Sequence, residues 1–130
     1  PTDHPFHKRE TLSIADFEGV DMLTLDRRHH YDRQIQDICE RIGAKVLRDY
    51  EGTSLDGLQQ MAGSGLGLAV LPETYLRSES GGEHMVRRFD IQDWKAHRSI
   101  AAVWRKGSVL ADAYRQIAAT ITEEARRMLD

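Results

Sequence analysis

Apolar positions along this chain follow two periods, and the alternation between them predicts the architecture. Tyr31, Ile35, Ile38, Cys39 and Ile42 fall on one stripe at helical spacing, so the segment reads as an amphipathic helix with Gly43 placed to cap its end. Before it, Val20 to Leu25 is compact and apolar enough for a buried strand, and Asp26 to His30 is a polar loop. After it, Lys45 to Tyr50 alternates like a strand centred on Val46 and Leu47. Thr53 or Ser54 then offers an N-cap to a helix using Leu55, Leu58, Met61 and Ala62.

The Gly63–Gly67 run ends that helix, and Leu66 to Leu71 reads as a buried strand stopped by Pro72. A short helix is expected from Glu73 to Ser80, followed by a Ser, Gly and Glu turn. Val86 to Ile91 is a strand candidate, Trp94 to His97 a polar corner, and Ile100 to Arg105 a further strand candidate. The longest helix follows Gly107 and Ser108, with Leu110, Tyr114, Ile117, Ile121, Ala125 and Met128 on one face. A short helical turn capped near Ser13 and left at Gly19 precedes all of this. Strands alternating with helices predict an α/β layered fold with a largely parallel sheet. Something must cover the apolar stripe of the closing helix.

Composition narrows the function. A chain of 130 residues is one domain's length, and its net charge of -3 comes without a basic stripe, so this stretch is not expected to touch nucleic acid itself. No apolar run is long enough for a membrane span and no secretory signal pattern opens the chain; a cytoplasmic protein with no membrane partner is expected. The single Cys39 rules out an internal disulfide and suits a reducing compartment.

Candidate chemistry is sparse. The GSGLG run sits after a helix and before a strand, the reverse of the order that aims helix amides at a phosphate, so it reads as a turn. None of the six histidines has metal-binding spacing on one helix, and Ser54, Ser64 and Ser108 lack the setting of a nucleophile. Neither a cofactor, a metal nor an enzymatic activity is expected. His29 and His30 end a polar loop at a helix start, where free amides and the helix dipole favour an anion or polar group; a solvated cap loop is the competing reading. Cys39 on the apolar stripe is read as core packing.

The succession DHPF near Asp3, LSIADFEG from Leu12 and TSLDGLQQMAGSGLGLAVLP from Thr53 to Pro72, with the tail SIAAVWRKGSVLADAYRQI, resembles the second half of the effector-binding domain of LysR-type transcriptional regulators, nearest their peroxide-sensing branch. The resemblance implies a Rossmann-like, periplasmic-binding-protein-like subdomain over residues 1–98, with 99–130 as the strand and helix that return to the other subdomain. It implies a small-molecule effector in the cleft between them, and DNA binding only through an N-terminal domain outside this chain. It also implies a homodimer or tetramer built on the helix from Ser54 to Ser64. The effector wall on this side would use His29, His30, Tyr31, Asp32, Thr53 and Ser54.

One departure bears on mechanism. Peroxide sensors carry a reactive cysteine in G-H-C-L-R-D-Q and a resolving cysteine nine residues on. Here Arg28, His29, His30, Tyr31, Asp32, Arg33 and Gln34 occupy the motif, with Cys39 at the resolving position and His30 in place of the reactive thiol. A redox alternative would need Cys39 partly exposed, with a lowered thiol pKa and a cysteine from outside this chain. A second alternative is a solute-binding module with no role on DNA.

Overall fold

A computed structural model describes residues 1–78, 85–94 and 96–129. The chain divides into two compact units, one of Pro1–Leu71 with Glu79–Lys95 and one of Pro72–Ser78 with Ala96–Asp130.

The first unit is built on a parallel pair of strands, β1 (Asp21–Leu25) and β2 (Lys45–Gly52). Parallel pairing needs a crossover, which α1 (His30–Ile42) supplies. Gly43 ends α1 in the left-handed conformation at φ 71°, and its N–H bonds back to Cys39. Asp21 pairs with Lys45 and Met22 with Val46, but Thr24 pairs with Glu51 and Leu25 with Gly52, so β2 carries a bulge between its two paired stretches. α2 (Leu55–Gly63) follows β2 directly.

The core lies where α1 and α2 cover β1. Met22, Leu23, Leu25, Ile35, Cys39, Leu58 and Ala62 are buried there, together with Leu12 and Phe17 from the leading segment. Three of the expected strands take a different form. Within 66–71 only Leu68 bridges Met22, through Leu23 N–H to Leu68 O at 2.7 Å and Leu68 N–H to Asp21 O at 3.0 Å. Gly67 lies so close to β1 that a Cβ there would stand 3.1 Å from the Asp21 carbonyl oxygen, and this half-buried segment passes β1 without running along it. Within 86–91 only Ile91 pairs, with Leu12.

In the second unit, α3 (Glu73–Ser78) is joined to α4 (Ala111–Leu129) by Arg77, whose guanidinium donates to Glu73 at 2.7 Å and to the Met128 carbonyl at 2.6 Å. The strand expected at 100–105 does not form. Ile100 and Val103 are 81% and 89% exposed, and an apolar β-compatible run without a strand partner stays outside regular structure. Trp104 meets Tyr114 of α4 with ring centroids 6.1 Å apart, while Leu110, Ile117 and Ile121 stay exposed. The turn expected at 79–83 lies outside the described residues, as do the last two positions of the helix expected to end at Ser80. The corner expected from Trp94 to His97 falls partly outside them, at position 95.

Candidate effector site where two helices begin

Because β1 and β2 run in the same direction, both deliver their chains to the same end of the sheet. β1 passes through 26–29 into α1, and β2 passes through Thr53 and Ser54 into α2. A hydrogen bond from Asp26 N–H to the Gly52 carbonyl at 3.0 Å ties the two exits together. The expected wall residues from both helix starts therefore meet at one end of the sheet, the carboxyl edge at which open α/β sheets receive ligands.

His29 occupies the N-cap of α1 with extended backbone and no side-chain cap bond, and both His29 and His30 are exposed. Ser54 caps α2, its hydroxyl accepting from Gly57 N–H at 3.1 Å, and Thr53 beside it is exposed. Asp26 braces the loop, accepting from the Arg28 N–H at 2.9 Å and from the Arg28 guanidinium at 2.9 and 3.0 Å. The Arg28 guanidinium and then its amide hold the Asp26 carboxyl down to about 2.

Tyr31 and Asp32 turn inward. The buried Tyr31 phenol donates to the Val70 carbonyl, and burial pushes its pKa up. The buried Asp32 carboxylate accepts from the buried Thr24 hydroxyl at 3.0 Å and from the half-buried Gln36 at 2.5 Å and Arg48 at 2.8 Å. Arg48 escapes sequence reasoning because it sits in a strand's polar register, sixteen positions from its partner; the β2 bulge that houses it leaves no trace in the hydrophobic pattern.

Cys39 is 3% exposed on the core side of α1. Burial raises its thiol pKa, against the opposing pull of Arg48, so its surroundings favour the protonated thiol. Among the described residues no cluster of His, Cys, Asp and Glu could hold a metal, and no helix is long and apolar enough to cross a membrane.

This arrangement defines a class, an α/β domain whose parallel strands bring two helix starts to a common edge. Comparison with known proteins gives the family. A model described as the LysR substrate binding domain matches residues 1–126, and the chain belongs to that family. It is 31% identical over 127 residues to the hydrogen peroxide-inducible genes activator of Haemophilus influenzae, covering 98% of this chain and 42% of that protein. It is 32% identical over 119 residues to the DNA-binding transcriptional dual regulator OxyR of Escherichia coli K12, covering 92% and 39%. A probable hydrogen peroxide-inducible genes activator of Streptomyces viridosporus is 31% identical over 129 residues, covering 97% and 41%. The chain thus spans about two fifths of the length of these relatives. No solved structure matches it.

Proposed function

We propose that this chain is the effector-sensing part of a LysR-type transcription regulator, and that it takes a small polar molecule where α1 and α2 begin. The observation that carries the reading is the Asp26–Gly52 hydrogen bond, which joins the two strand exits and sets exposed His29 and His30 at the same edge as exposed Thr53 and Ser54. Imidazoles that donate and accept, hydroxyls, and amides at two helix starts suit a polar guest. Tyr31 and Asp32 support this wall from behind, since their polar atoms are already engaged inside the protein.

In this reading residues 1–98 form one Rossmann-like, periplasmic-binding-protein-like subdomain and 99–130 return to another. The effector fills the cleft between them, and its preference for one arrangement shifts the population. The name of the Escherichia coli relative supplies the DNA connection, which here belongs to a part of the longer protein outside this chain. Copies of the chain associate through the helix from Ser54 to Ser64, and the regulator works in the cytoplasm. The exposed apolar face of α4 at Ile117 and Ile121, with exposed Leu110 just before the helix, supports its burial against the remainder of such a domain.

The test is a panel of dicarboxylates, amino acids and sugar phosphates, titrated into the full-length protein by calorimetry and by DNA-binding anisotropy. At least one compound is expected to bind and to change DNA affinity, and His30→Ala and Thr53→Ala should each weaken it about tenfold, the loss of a good polar contact. Unchanged affinity in both variants would remove the site.

A further inference from the structure

We propose that Arg48 is a positioning residue that sets the spacing of the two helix starts, a role resting on the effector site proposed above. Its Nη1 stands 2.8 Å from Asp32 Oδ1 in the first turn of α1 and 3.7 Å from Glu51 Oε1. Glu51 is the last residue before Gly52, Thr53 and Ser54, so one guanidinium spans the beginning of α1 and the approach to α2. Arg27, in the β1–α1 loop, reaches the same Glu51 oxygen at 3.6 Å and closes the chain of charges back to the first exit.

The Asp32 end is sealed from water while Arg48 is only partly exposed. That desolvated contact fixes geometry in a way an exposed ion pair does not. The bulge in β2 makes it possible: Arg48 lies among the residues between the paired Val46 and Glu51, where the strand is released from strict register and a side chain can be re-aimed.

A plain stabilising role and a positioning role separate in the double variant Asp32→Asn/Arg48→Met. It removes both charges of the pair together while the Asn amide oxygen stays available to the buried Thr24 hydroxyl, whereas removing one partner alone strands a charge. In the full-length protein, hydrogen exchange followed by mass spectrometry should show about tenfold faster exchange in peptides covering 29–36 and 49–58, with the melting temperature and the core peptides unchanged, the mark of local opening. Arg48→Lys keeps a cation, and one nitrogen, Nη1, makes both contacts in the native chain, so exchange at both helix starts is expected to stay nearer native than in the double variant.

Native exchange at both helix starts in the double variant overturns the proposal, as does a uniform rise accompanied by a lower melting temperature. No effector enters this measurement. If the compound panel fails while the local exchange pattern appears, the effector site falls and the spacer role of Arg48 stands.

Discussion

The phenol of Tyr31, in the first turn of α1, donates to the main-chain carbonyl of Val70, thirty-nine positions further along the chain. The bond reaches the segment that leaves the first unit two residues later at Pro72. Tyr31→Phe keeps the ring and deletes the donor, leaving a half-buried carbonyl without this partner. Urea denaturation should show a loss of about 1–2 kcal/mol with an unchanged m-value. A loss below the precision of that measurement would mean that water replaces the phenol at no cost.

Asp26 should titrate near 2, because the Arg28 guanidinium and amide favour its charged form. A carboxyl pKa below the ordinary value of 3.8 favours the folded state above that value, and the contribution fades as pH falls toward 2. Carboxyl-detected NMR gives the midpoint directly. Arg28→Ala is expected to return it toward 3.8, and a native midpoint already there would show that the loop brace is absent in solution.

Gly52→Ala should disturb the exit of β2. A Cβ at that position would stand 3.0 Å from Leu58 Cδ2 and 3.4 Å from Leu25 Cδ2, with Leu58 fully buried and unable to swing away. Overpacking of this kind costs about 1–3 kcal/mol, readable as a lower thermal midpoint. Gly57→Ala, which meets only the Ser54 hydroxyl at 3.4 Å, serves as the mild comparison in the helix that follows.

Cys39 should react slowly with a thiol reagent at neutral pH and rapidly once denaturant is added. Its raised pKa leaves little thiolate in the folded chain, and the reaction should accelerate only when pH climbs past the ordinary range for a free thiol. Immediate labelling of the native protein would restore the redox alternative.

The sequence announces some elements and hides others for identifiable reasons. α1 is legible because five apolar side chains share one stripe and a glycine ends it, and both signals are local. β1, β2 and the Ser54 cap are legible on the same terms. The run at 66–71 looks like a strand because Leu66, Leu68, Val70 and Leu71 are apolar, yet pairing depends on a neighbour's path, and β1 accepts only Leu68. At 100–105 the residue types are suitable and a strand partner is missing. At the site, the exposed histidines and the second helix start were readable from polarity and capping. Tyr31's place on the apolar stripe was readable too, whereas its bond to Val70, the burial of Asp32 and the reach of Arg48 were not, since each depends on contacts distant in sequence.

The shared direction of β1 and β2 has a consequence for how such a protein diversifies. Residues that would meet a guest sit on short connections beyond the strands, whereas those that hold the fold together sit within the strands and on the inner faces of the helices. On the effector site proposed above, exchanging exposed His29, His30 or Thr53 would retune recognition while the scaffold beneath keeps its shape, so closely related chains could respond to chemically different signals.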